Sequence, residues 1–411
     1  MHQKQYGLFS LPVIVGALGF FVDIYDLLLF SIVRIKSVTE LGVPANALKN
    51  IGENMVSWQM IGLSIGGIIW GIIGDKKGRK SVLFGSILLY SLATIANGFV
   101  NDIHQYTWLR FITGLGLAGE LGASITITSE LLPKEKRGIA ASIIATSGVL
   151  GTVTAYFVYK FSDENWRVCY FIGGGMGLAL LFLRVRVMES LMYTQSKNTQ
   201  APMGNFLMLF NNSDRFFRYL RGILIGLPVW FIVGVIIGFS DEFARQFGIV
   251  GFDLPKALML NYVALAFGDV GAGLLSNYLK SRKKTLYIYY AITSIFLLLF
   301  FVLKGGGSTN AMYIICMGLG FGAGMSVMYI TMSAEQFGTN LRATAAISIP
   351  NLVRGFVPIL LIIFQFLRSN LIFDDYLTGA WATAIIVMGT GFVAVLFTKE
   401  SFGRDLNFIE K

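Results

Sequence analysis

Short charged turns cut this chain into apolar stretches of roughly 20 residues or more, and that spacing constrains its fold more than any other feature. A helix rising 1.5 Å per residue needs about 20 apolar residues to cross the hydrocarbon of a bilayer. Twelve such stretches are read: 8–33, 55–74, 80–99, 104–130, 138–160, 166–187, 219–240, 257–279, 284–303, 309–335, 342–368 and 376–398. Inside lipid every peptide group must be bonded within its own segment or within a closed barrel. These runs are too long and continuous for barrel strands. The predicted fold is therefore an all-α membrane protein of twelve transmembrane helices, with the lipid bilayer as its solvent. Composition agrees: 55% of the 411 residues are hydrophobic and 14% are charged, more apolar surface than a water-soluble chain of this length can bury. The first stretch exceeds a signal-peptide core and has no small-residue cleavage site, so it is read as a retained span.

The net charge of +10 does not point to nucleic acid, because the basic residues sit in short loops between apolar runs. They read as topology signals. Lys4, the Lys76–Lys80 turn, Lys134–Arg137, the Arg184–Arg221 stretch, Lys280–Lys284, Arg342 and the tail lie on one set of ends. The opposite ends hold Arg34, Lys36, Lys49, Arg245, Lys256 and Lys304. The richer set is expected in the cytoplasm, with both termini. Cys169 and Cys316 fall in separate apolar runs and read as packing residues, not a disulfide. His2 and His104 lie at the terminus and in a loop, so neither a metal site nor a catalytic triad is expected. Gly318–Gly324 and Gly173–Gly177 have no preceding strand, so they read as close helix packing and not as phosphate loops. No cofactor and no enzymatic activity are expected.

The longest polar loop, 188–218, divides the chain into an N-terminal six-helix half (1–187), a linker (188–218), a C-terminal half (219–398) and a tail (399–411). The halves echo one another. Glu130 and Arg137 stand seven residues apart, as do Glu335 and Arg342, and the two sets are 205 residues apart. Lys280–Lys284 falls at nearly the same offset from Lys76–Lys80. Such a repeat implies two halves related by pseudo-twofold symmetry along the membrane normal.

Between the second and third stretches runs Gly71-Ile-Ile-Gly-Asp75-Lys-Lys-Gly78-Arg79-Lys80, with five charges in its last six residues. This resembles the signature loop of the major facilitator superfamily of secondary transporters. The resemblance extends to Arg110-Phe-Ile-Thr-Gly114, Glu130 to Gly138, Trp166-Arg167 and Met188-Glu189-Ser190, where Met188 replaces the usual Pro. Gly119-Glu120-Leu121-Gly122 and Phe21 to Asp26 look most like metabolite:proton and phosphate:proton symporters, in the same branch as sugar porters. The second half departs from the pattern, with Leu275 and Leu279 where Gly and Asp are expected. The resemblance implies a cytoplasmic gate built from Gly71, Asp75, Gly78, Arg79, Lys80, Glu130 and Arg137, with Glu335 and Arg342 as counterparts. It also implies alternating access in an inner membrane of a prokaryote.

Ionisable residues within apolar stretches point to the working site, because each is costly against lipid and needs a partner or a wet cavity. They are Asp23, Asp26, Arg110, Glu120, Asp269 and Arg354. Asp23 and Asp26 share a helix face at i,i+3. Asp26 and Arg110 fall at similar depth and are expected to pair; Asp269 and Arg354 are expected to form a second pair. Asp23, Asp26 or Glu120 would carry the proton that couples transport, since a moving Arg changes a carboxyl's proton affinity. Structural ion pairing is the rival role. Buried guanidinium groups favour an anionic substrate. Gln59, Trp230, Asn261, Tyr262, Ser326, Tyr329 and Asn351 are further candidate contacts. The expected function is proton-coupled symport of a small polar, anionic metabolite by a monomer, with the proton as coupling ion. A proton-antiport exporter of a drug or siderophore and a non-translocating membrane sensor are the alternatives.

Overall fold

Helix is the only regular structure among the residues that the computed structural model describes: 10–77, 79–131, 134–195, 206–304, 306–369, 371–403 and 410. The chain divides into two units, Met1–Pro202 and Met203–Lys411. The boundary falls inside the stretch 188–218.

The first unit holds α1 (Leu11–Glu40), α2 (Leu48–Lys77), α3 (Arg79–Asn97), α4 (Ile103–Leu131), α5 (Lys134–Phe161) and α6 (Trp166–Gln195). Helix α1 opens on Ser10 with a proline in its first turn, where a missing N–H costs nothing. It runs seven residues beyond the predicted end, to Glu40, and the chain turns at Gly42, whose φ of +85° suits glycine. Glycines bring the helices together. A Cβ on Gly62, Gly66 or Gly114 would overlap the carbonyl oxygens of Phe111, Leu115 or Gln59, so α2 and α4 cross backbone to backbone. Gly151 of α5 meets the Phe21 carbonyl of α1 in the same way.

The second unit is less regular. A short 3₁₀ turn, Phe206–Leu209, precedes α7 (Ser213–Phe231), which is capped by Asn212 and passes into a π turn, Ile232–Ile237, four residues after Pro228. Then come α8 (Ser240–Gln246), α9 (Leu254–Leu279), α10 (Arg282–Val302), α11 (Thr309–Ala323), α12 (Ser326–Glu335), α13 (Thr339–Gly355), α14 (Val357–Leu367) and α15 (Tyr376–Phe397). The predicted stretch 309–335 is broken at Gly324–Met325, and 342–368 is broken at Phe356, just before Pro358. Each of the twelve predicted stretches thus falls on one helix or on one interrupted helix. Among the described residues, eight of them are long and apolar enough to cross a membrane by length and composition.

At one end of the second unit the helix termini are laced by charge. Glu335 closes α12 and pairs with Arg282 at the start of α10, 3.2 Å away. Arg218 on α7 grips Glu410 through two bonds of 2.8 and 3.0 Å, and Glu410 also accepts from the Gly338 amide. Glu400 accepts from Ser281 and from the Arg282 and Lys283 amides.

Candidate functional site

In the first unit α1, α3, α4 and α6 converge on a polar cluster. Asp26 is fully buried. The Thr94 hydroxyl on α3 donates to its Oδ2 at 2.5 Å. Arg110 on α4 is equally buried, and its Nη2 donates to the Asp26 main-chain carbonyl at 3.4 Å. The expected Asp26–Arg110 carboxylate pair is therefore not made among the described residues. Arg110 is instead held between the rings of Phe30 and Tyr170, whose centroids lie 5.7 and 5.5 Å from its guanidinium carbon. The reason is local: α4 presents Tyr106 and Arg110 one turn apart, and Tyr106 joins the Tyr170 hydroxyl at 2.5 Å, which sets the Tyr170 ring beside the guanidinium. Tyr106 also donates to Ser37 at 3.3 Å and stacks on Trp166, which donates to Glu40 at 2.8 Å. Asp23, one turn back on α1, is buried as well. Gln59 of α2 donates to the Leu27 carbonyl at 3.4 Å, beside Asp26.

The second unit holds its acid differently. Asp269 on α9 accepts from the Ser326 hydroxyl at 2.7 Å and from the Val327 amide at 3.4 Å. These groups form the N-terminus of α12, whose free amides favour a carboxylate. The break after α11 makes this approach possible, because Gly324 lies directly on the backbone of Gly268 and Asp269. Asp269 thus takes its bonds from α12 and not from Arg354, as the sequence suggested. Arg354, at the end of α13, lies over the Trp230 ring at 5.1 Å. Tyr262, Tyr329 and Asn351 are buried in this unit, and Asn261 donates to the Cys316 carbonyl at 2.8 Å.

Of the expected gate, Gly78 lies outside the described residues. So do the side chains of Asp75, Arg79, Lys80, Glu130, Arg137 and Arg342, and that of Glu120. Gly71 lies on α2. Glu335 is described, and its partners are Arg282 and Ser401. Sequence reasoning missed Thr94, Tyr106 and Tyr170. The i,i+4 spacing of Tyr106 and Arg110 was a usable signal; Thr94 carried none.

A helical membrane protein that buries a carboxyl and a guanidinium within its spans is built to handle charge inside a bilayer, as secondary transporters do. The family model of the Major Facilitator Superfamily matches residues 13–362, and the chain belongs to that superfamily. It is a transport protein of the membrane, not an enzyme. It is 25% identical to the cis,cis-muconate transport protein of Acinetobacter baylyi over 93% of this chain and 92% of that one. It is also 25% identical to the gentisate transporter of Corynebacterium glutamicum, over 81% of this chain and 75% of that one. The fold is similar to that of the proton:xylose symporter XylE from E. coli, with a TM-score of 0.70 over 97% of each chain at 18% identity.

Proposed function

We propose that this chain is a proton-coupled symporter for a small organic anion, a carboxylate metabolite, working by alternating access in the inner membrane of a prokaryote. The observation that carries the reading is the buried Asp26 carboxyl, which has a hydroxyl donor and a neighbouring guanidinium but no ion pair among the described residues. Such a carboxyl can take up and release a proton as Arg110 approaches or withdraws. Arg110 and Arg354 are the candidate grips for the anion. Asp23 and Glu120 are further candidate proton carriers, and Asp269 would serve the second half. Gln59, Trp230, Asn261 and Tyr329 would complete the contacts. The carboxylate cargo named for the two relatives supports the anionic class. The proposal includes a monomer with both termini in the cytoplasm, a pseudo-twofold repeat of the two six-helix halves, and an inner gate of Gly71, Asp75, Gly78, Arg79, Lys80, Glu130, Arg137, Glu335 and Arg342. The proton is the only coupling ion and no cofactor takes part.

The test begins with a thermal-shift screen of cis,cis-muconate, gentisate, benzoate and related acids on purified protein. The acid that stabilises most is then added to proteoliposomes. Their lumen should acidify as substrate enters. Asp26→Asn with Asp23→Asn should abolish acidification and leave substrate exchange in place. Uptake by the wild type that ignores both pH and membrane potential would sink the reading.

A further inference from the structure

We infer that Tyr170, fixed by Tyr106, is a positioning residue that holds Arg110 off the Asp26 carboxyl and so keeps Asp26 able to bind a proton. The geometry stands by itself; its consequence for transport rests on the symport reading above.

Among the described residues the Arg110 Nη2 donates to the Asp26 carbonyl, whereas its Nε and Nη1 have no hydrogen-bond partner. Asp26 Oδ1 likewise has none. A buried cation beside a buried carboxyl gains strongly from pairing, because the low dielectric strengthens their attraction. Here the two belong to neighbouring helices and yet stay apart. What separates them is the aromatic clamp. The guanidinium carbon lies 5.5 Å from the Tyr170 centroid on α6 and 5.7 Å from the Phe30 centroid on α1. Ring faces attract guanidinium without neutralising it.

The clamp is itself held rigid. The Tyr170 hydroxyl meets that of Tyr106 at 2.5 Å. Tyr106 reaches Ser37 at 3.3 Å, stands edge-on to Phe30 and stacks on Trp166. Three helices therefore fix one ring, and that ring fixes the cation.

The groups facing Asp26 are few. Helix α3 contributes the neutral Thr94, α4 contributes Arg110 and Tyr106, and α6 contributes Tyr170. Helix α2 contributes the neutral Gln59 at Leu27, and α5 meets α1 here through Gly148 and Gly151. Along α1 itself lie Asp23, Tyr25 and Arg34. Arg110 is the cation whose position the tyrosines control. If the ring is removed, the guanidinium can relax onto Oδ1. An opposite charge at that distance lowers a carboxyl's proton affinity by about one to three pH units.

The experiment follows the carboxylic C=O stretch of Asp26 by infrared difference spectroscopy across pH. Purified full-length protein in lipid nanodiscs is used, and Asp26→Asn assigns the band. In Tyr170→Leu the midpoint should fall by at least one pH unit. In Tyr170→Phe, which keeps the ring and loses the hydroxyl pair, it should fall by less. An unchanged midpoint in folded Tyr170→Leu overturns the inference, since a merely structural role would lower stability without moving the titration. If Tyr170→Leu does not fold, Tyr106→Phe takes its place: a fall supports the clamp, and no fall overturns it. The outcomes also separate the two readings. A shifted midpoint with wild-type uptake that ignores pH keeps the clamp and removes symport. An unshifted midpoint with pH-driven uptake does the reverse.

Discussion

The two units solve the same problem, an acid inside a membrane helix, by different means. In the first, the helices run unbroken and side chains do all the work: Thr94 hydrogen-bonds Asp26, and rings position Arg110. In the second, three of the predicted spans are interrupted, and the backbone does part of the work: past the break at Gly324–Met325 the Val327 amide at the start of α12 donates to Asp269. An interrupted helix exposes peptide groups that a continuous one spends on itself. The difference teaches that a carboxyl beside an intact helix depends on side chains that many mutations remove, whereas a carboxyl on a helix end keeps a main-chain donor that only a proline at that position deletes.

The largest effects should come from the glycines that make each arrangement possible. Gly114→Ala drives a Cβ into the Gln59 carbonyl, and Gly324→Ala drives one into the Gly268 and Asp269 backbone. Main chain cannot step aside as a side-chain tip can, so each should cost about 3 kcal/mol, the upper end for overpacking. Gly175→Ala and Gly273→Ala meet open space and should be neutral or slightly stabilising, because alanine favours helix. Apparent melting temperatures in detergent compare the four. A Gly324→Ala protein that melts like Gly273→Ala would mean that the break in the second unit is not what brings α12 onto Asp269.

The next pair tests the difference itself. Thr94→Ala removes the one hydrogen-bond donor to the Asp26 carboxyl among the described residues, and about 1–3 kcal/mol of stability should go with it. Ser326→Ala leaves the Val327 amide in place, so its cost should be about half as large. Thr94→Ser should restore most of the loss. Equal costs for the two alanine variants would erase the distinction between side-chain and backbone support.

Much of this was legible in the sequence, for a physical reason. Hydrocarbon enforces helix length and apolar continuity, so the twelve stretches followed from composition along the chain. The cost of buried charge singled out Asp26, Arg110, Asp269 and Arg354. What could not be read was which atoms would meet. Asp26 and Arg110 sit on neighbouring helices as their depths suggested, yet the bond goes to a carbonyl, because a ring 60 residues beyond Arg110 captures the guanidinium. Tyr170 in an apolar run is indistinguishable from a packing residue until α6 is docked. The helix breaks were also hidden. Gly318 to Gly324 read as a packing face, and the close approach of Gly324 to Gly268 bears that out, but nothing in the run marks where the helix stops.

The smallest effect expected lies at the helix ends, outside the spans, where the units differ again. In the second unit burial pushes the Glu410 carboxyl up, but the bonds from Arg218 and the Gly338 amide outweigh it and leave Glu410 below its ordinary range. Glu400 behaves alike, with burial opposed by Ser281 and the Phe402, Arg282 and Lys283 amides. In the first unit Glu164 is also lowered, chiefly by the hydrogen bond from Lys160, but this pair stands at the surface. A carboxyl lowered by folding contributes stability above its unfolded value, about pH 4.3 for Glu, and that contribution is lost as pH falls through the folded value. Acid should therefore cost the helix ends of the second unit more stability than the exposed Lys160–Glu164 turn. Glu410→Gln should lower stability by about 1 kcal/mol at neutral pH and flatten the acid limb of the melting curve. Glu164→Gln should leave both unchanged, since an exposed i,i+4 pair is worth little. Melting scans from pH 7 to pH 3 decide the matter. An acid limb as steep in Glu410→Gln as in the wild type would mean that the tail is not fastened by charge, and the contrast between the helix ends of the two units would fall.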